Sequence, residues 1–151
     1  VAQKIVKGLT QIAINGKGKL QLGNLNVYRD LGYAGEYIAA IHRLMQLDVS
    51  TDLVIATGET HSVAEFINEV LYNLGQTRNL EEVVESVPAL LRYDDIEFNF
   101  ADIKLAKKVI RWEPKIFFTG LIRKLVKFEK YLKNSINLTS LNKLDGVCKN
   151  T

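Results

Sequence analysis

Apolar residues recur at helical spacing over residues 1–13. Ile5, Val6, Leu9 and Ile12 share one face there, and Asn15-Gly16 offers a left-handed stop. The period then changes. Lys19-Leu20-Gln21-Leu22 alternates polar and apolar, which predicts a short strand, and Gly23-Asn24 opens a loop to about Gly32. Helical spacing returns over 33–47, where Tyr37, Ile38, Ile41, Leu44 and Met45 are expected to form one buried face. Leu53-Val54-Ile55-Ala56 is an apolar run whose length suits an interior parallel strand.

Ser62-Val63-Ala64-Glu65 is a capping box. Val63, Phe66, Ile67, Val70, Leu71 and Leu74 follow on one face, and Gly75 ends the helix. Residues 81–86 fit a short helix or a short strand. Residues 96–100 alternate as a strand, and Asp102 is the expected cap of a helix through Ile110. Trp112-Glu113-Pro114 ends that helix, because the residue before a proline is pushed out of helical space. Thr119 is the expected cap of the last helix, with Leu121, Ile122, Leu125, Val126 and Leu132 as its inner stripe. The pattern predicts one packed unit over 1–132 and a polar, mobile tail over 133–151. Strands alternating with helices give an α/β class.

Composition narrows the picture little. A chain of 151 residues with 47% apolar content is long enough for one domain with a core. The formal charge of +3 raises a nucleic-acid reading, but the basic residues are interleaved with apolar positions at helical spacing, as on a solvated outer face. No apolar run is long enough for a membrane span. No basic segment, apolar stretch and cleavage site opens the chain, so no secretory leader is expected. Cys148 has no second cysteine to pair with, and a reducing cytoplasm is the expectation.

Several chemistries find no residues. A dinucleotide fold needs a glycine-rich turn between a strand and a helix, whereas Gly16 and Gly18 follow a helix and precede a strand. No tyrosine has a lysine four residues on, and two histidines with one cysteine give no metal constellation. In Thr57-Gly58-Glu59-Thr60-His61-Ser62 the favoured reading is a turn at Gly58, a cap at Ser62, and Glu59 and His61 ordering the loop. His42 reads as an ordinary surface histidine or one with its hydrogen bonds satisfied. Arg29-Asp30 is open between an ion pair and a ligand contact, since arginine suits bidentate capture of a diphosphate. Arg92-Tyr93-Asp94-Asp95 leaves the same choice open, between phosphate and ribose contacts and a charged turn.

Leu22-Gly23-Asn24-Leu25-Asn26-Val27-Tyr28-Arg29-Asp30-Leu31-Gly32-Tyr33-Ala34, followed by Leu53-Val54-Ile55-Ala56-Thr57-Gly58-Glu59-Thr60-His61-Ser62-Val63, resembles the C-terminal part of the GDP-mannose 4,6-dehydratase family. These are extended short-chain dehydrogenase/reductases, and the likeness runs over roughly residues 1–132. It implies the substrate-binding portion of a Rossmann-related fold without the N-terminal dinucleotide-binding half. The implied reaction converts GDP-mannose to GDP-4-keto-6-deoxymannose through transient oxidation at C4 with NADP.

The family's Arg-Lys-Ile aligns with Gln3-Lys4-Ile5, its Gly-Asn-Leu and Arg-Asp with Gly23-Asn24-Leu25 and Arg29-Asp30, and its Arg-Pro-x-Glu with Arg92-Tyr93-Asp94-Asp95. The resemblance therefore implies substrate contacts at Lys4, Asn24, Arg29, Arg92 and Asp95, with no catalytic residue here. The chain departs from the family at Gln3 for arginine, Leu31 for tryptophan, Tyr93 for proline, Asp95 for glutamate and Arg111 for glycine. It implies GDP-mannose as partner rather than nucleic acid or membrane, a homo-oligomer or association with an N-terminal half, and a cytoplasmic setting. A non-catalytic nucleotide-sugar-binding module, or a remnant without activity, is the alternative. A related epimerase or reductase is disfavoured by the Ala-Thr-Gly-Glu-Thr-His-Ser-Val run.

Overall fold

The computed structural model describes the backbone of residues 1–147 and side chains as far as Ser135. Helix α1 (Ala2–Asn15) buries Ile5, Val6, Leu9 and Ile12, and Gly16 closes it at φ 72°, a conformation glycine adopts without Cβ strain. Strand β1 (Leu20–Leu22) buries both leucines and exposes the residue between them. The expected loop after it contains a two-residue strand, β2 (Tyr28–Arg29), which the pattern did not signal. Helix α2 (Ala34–Leu44) follows, then β3 (His61–Ser62) and α3 (Val63–Leu74).

The open choice over 81–86 resolves into both alternatives in succession. A one-turn helix α4 (Leu80–Val83) runs into β4 (Val84–Ser86). A 3-10 turn at Pro88–Leu90 comes next, then α5 (Lys104–Val109) and α6 (Phe118–Val147). The segment expected as a mobile tail, 133–151, is helical in backbone to Val147, and residues 148–151, Cys148 among them, lie outside the described residues.

Two small sheets organise the chain. β1 pairs in parallel with β4, Leu20 opposite Val84. β2 pairs antiparallel with β3, Tyr28 opposite Ser62 and Arg29 opposite His61. The main core lies among α1, α3 and α6 and the β1–β4 pair, with Ile5, Leu9, Phe66, Ile67, Val70, Val83 and Ile122 at its centre. A second cluster gathers Ala40, Ala106, Ile110 and Trp112, against which Tyr37, Leu53 and Ile55 pack.

Three expectations are corrected. Residues 53–56 form no strand: Leu53 and Ile55 turn inward to the Trp112 cluster, Val54 is 56% exposed, and no described strand lies alongside to take up their backbone groups. Residues 96–100 form only an isolated bridge, Tyr28 opposite Phe98, and Ile96, Phe98 and Phe100 are exposed. On α2 the inner surface is Ala40 with Tyr37 and Leu44, while Ile38, Ile41 and Met45 face outward. The face is amphipathic by spacing, but the chain packs little against it.

The cap of α6 is also not Thr119, which lies inside the first turn. Its approach is held instead by Glu36 of α2, whose carboxylate accepts from Lys115 N and Ile116 N at 3.1 Å each. Arg111, standing where a glycine was suited, does adopt a left-handed conformation with φ 49°.

Candidate functional site

The parallel β1–β4 pair sends both strands' C-terminal ends out on the same side, and ligands in α/β folds collect at such edges. Leu22 leads into Gly23-Asn24, and Ser86 leads through the 3-10 turn to Leu90 and Arg92. Val87 N donates to Leu22 O at 2.8 Å and Ser86 Oγ to Gly23 O at 3.2 Å, so the two exits are tied. Gly23 lies so close to the Leu90 carbonyl that a Cβ would collide with it.

These exits, the first turn of α1, β2 and the start of α3 enclose a cavity of about 300 Å³. Lys4, Asn24, Arg29, Arg92 and Asp95 all line it, so the residues singled out from sequence converge from three distant segments. Apolar walls from Ile5, Leu22, Val27, Leu31, Phe66 and Leu90 complete it. A small number of convergent polar groups in an apolar concavity is the usual form of a small-molecule site.

The polar groups are not equally available. Arg29 donates from Nη2 to Asp95 Oδ1 at 2.6 Å, and from Nη1 to Tyr28 O and Ile96 O at 2.7 and 2.5 Å. It thus holds β2 to the 95–96 segment while presenting charge to the cavity. Lys4 Nζ donates to Gln21 O at 2.8 Å, and Asn24 Oδ1 accepts from Asn26 N at 2.9 Å. Arg92 has neither hydrogen bond nor ion pair among the described residues. Tyr93, beside it, is fully exposed and off the cavity wall.

Arg29 and Asp30 do not pair with each other. Asp30 accepts from Thr57 N, Thr57 Oγ1 and Gly58 N at 2.9, 2.7 and 2.8 Å, which fixes the turn where Gly58 has φ 78°. Tyr37 lies beside Asp30, and burial first, then that carboxylate, raise its phenol from the usual 10.0 to about 12. Neither residue belongs to the cavity lining.

Ser62 caps α3 as expected. Its Oγ accepts from Glu65 N at 3.1 Å, and Glu65 Oε2 accepts from Ser62 N at 2.7 Å. His61, read from sequence as loop-ordering, lines the cavity as well. Its ring stacks on Phe118 at 3.7 Å and 13°, and its buried Nε2 has no hydrogen-bond partner. The only signal for this role is the β2–β3 register, which no residue spacing announces. His42 is exposed on α2.

Among the described residues no His, Cys, Asp and Glu cluster could hold a metal. No described helix is long and apolar enough to cross a membrane. Gly16 closes a helix instead of opening one, so Gly16 and Gly18 do not form a strand-to-helix turn of the kind that cradles a dinucleotide pyrophosphate.

A family model described as GDP-mannose 4,6 dehydratase matches residues 1–125. The chain is 33% identical to a human protein named GDP-mannose 4,6 dehydratase, covering 83% of this chain and 38% of that one. Proteins of related name from Caenorhabditis elegans and Vibrio cholerae are each 32% identical over 83% of this chain, and 37% and 40% of theirs. The chain therefore spans about two-fifths of the length of these curated relatives. Among solved structures, RMD from Pseudomonas aeruginosa complexed with NADPH is similar at TM-score 0.74 and 12% identity, over 86% of this chain and 42% of that one. A dTDP-glucose 4,6-dehydratase from Bacillus anthracis in complex with NAD is similar at TM-score 0.70 and 21% identity, over 84% and 39%.

Proposed function

Since the chain belongs to the GDP-mannose 4,6 dehydratase family, we propose that it is the nucleotide-sugar-binding portion of such an enzyme, with GDP-mannose as ligand. The observation that carries this reading is the convergence of Lys4, Asn24, Arg29, Arg92 and Asp95 on one cavity. Arg29 and Arg92 bracket the diphosphate, because two guanidinium groups suit its spread charge. Asp95, held in place by Arg29, offers its remaining lone pairs to ribose hydroxyls, and Asn24 offers its side-chain amide.

The family's reaction removes water from GDP-mannose through transient oxidation at C4. By that resemblance NADP is the cofactor, and it supplies the hydride chemistry. The described residues do not fit it, so in this reading they bind and orient the sugar nucleotide and no step is assigned to them. Residues 1–132 form the binding portion, and a cytoplasmic setting accompanies the substrate.

Calorimetric titration of GDP tests the assignment. Arg92→Ala, which breaks no hydrogen bond or ion pair among the described residues, is expected to weaken binding by about 1.5–3 kcal/mol, the range for hydrogen bonds to charged groups. Unchanged affinity on removing Arg29 and Arg92 in turn would overturn the site. Incubation with GDP-mannose and NADP, followed by chromatography, is expected to yield no keto-deoxy sugar from the isolated chain.

A further inference from the structure

Residues 96–100 alternate as a strand does, but within the described chain they pair only with β2, through a single bridge. Tyr28 N donates to Glu97 O at 2.7 Å, and Asn99 N donates to Tyr28 O at 3.3 Å. Backbone groups alternate in direction along an extended chain, so Phe98 N–H and C=O point to the opposite edge. Neither has a partner among the described residues.

The side chains leave this edge apolar as well. Ile96, Phe98 and Phe100 are 65, 59 and 60% exposed. The rings of Tyr28 and Phe98 lie 5.7 Å apart and those of Phe98 and Phe100 6.5 Å, so the aromatic face is continuous. Sheet edges are commonly blunted by lysine, proline or a bulge. Residues 96–100 contain no lysine and no proline.

The pattern is complementary to itself. Laid antiparallel about a twofold axis at Phe98, the segment sets Phe98 against Phe98 and Ile96 against Phe100. The central pair then exchanges both of its N–H···O bonds. Glu97 falls against Asn99 in the adjoining pair, where side chains stand closest and the carboxylate accepts from the amide. An axis at Glu97 would instead oppose two carboxylates, which disfavours that register. On the flanks Asp95 is paired with Arg29 and Asp102 with Lys104.

We propose that residues 96–100 are a docking edge for a second copy of this chain, joined antiparallel through Phe98. Four large side chains a copy make a small interface, on the order of 800 Å² in all, so the dimer is weak and reversible. The inference is independent of the ligand assigned to the cavity.

Equal parts of carbon-13-labelled and unlabelled full chain test it through isotope-filtered nuclear Overhauser contacts. Ile96 and Phe100 stand roughly 13 Å apart along one strand, so contacts from the Ile96 methyls to the Phe100 ring arise only between copies. They are expected, and should grow with concentration alongside a dimer in sedimentation equilibrium. Asn99→Glu changes an exposed side chain and opposes like charges twice per dimer. It should weaken the dimer roughly tenfold, and Glu97→Lys added to Asn99→Glu should restore it. Absence of the Ile96–Phe100 contacts, whether the chain is monomeric or associates through another face, would overturn the proposal. Contacts that Asn99→Glu leaves undiminished would overturn it too.

Discussion

Arginine at position 111 shows how a single residue carries local strain. Its φ of 49° lies in the left-handed region, which disfavours a side chain by roughly 1–2 kcal/mol. The segment is held there because Arg43 Nη1 donates to Arg111 O at 2.7 Å and Trp112 is buried beside it. Arg111→Gly keeps that carbonyl and is expected to stabilise the chain by about 0.5 kcal/mol, measured by denaturant unfolding. An equal or lower midpoint would count against strain at this position. Tyr37 yields a prediction in pH. Its folded value of about 12 stands above the usual 10.0. A raised value means that its contribution to stability is complete below about pH 10 and is lost as pH rises toward 12. Alkaline unfolding followed by circular dichroism should show the parent losing stability across that window relative to Tyr37→Phe; parallel curves would refute it.

At the scale of elements, local chemistry explains the helix ends that were readable. The capping box at Ser62 and the left-handed glycines Gly16 and Gly75 act within a few residues, and the structure has all three. Ser62→Ala should lower stability by about 1 kcal/mol, and chemical denaturation would reveal it. Where an end depends on a distant group, the sequence is silent. Glu36 holds the turn before α6 from α2, so the nearby Thr119 was the better-looking but incorrect cap. The strands follow the same division. β1 was legible because burial alternates along it, whereas β2 and β3 are two residues each and exist through their pairing. Residues 53–56 have strand composition but no described neighbour to make them one.

At the scale of the molecule, the main core is closed. Phe66 and Val70 are buried in the cluster that α1, α3 and α6 share. The open surfaces lie elsewhere. Ile38, Ile41 and Met45 form an outward stripe on α2, and Val54 and Leu105 line a shallow cavity beside α5. Exposed apolar patches and an unpaired extended segment favour association. The isolated chain is expected to self-associate in sedimentation velocity at micromolar concentrations, and Val54→Lys combined with Met45→Lys should shift it toward monomer. A parent that sediments as a monomer and melts in a sharp, reversible, concentration-independent transition would contradict this.

The sequence by itself determined which segments are amphipathic and where three helix ends fall. It did so because helical period, caps and glycine conformations are set within one or two turns of chain. Only the tertiary structure decided that Arg29 pairs with Asp95 while Asp30 holds the 57–58 turn, and that Arg92 has no hydrogen bond or ion pair among the described residues. It alone brought His61 opposite Arg29 at the cavity wall. The physical reason is common to these cases. A charged or strand-forming residue is defined by the group across from it, and here that group lies tens of residues away along the chain.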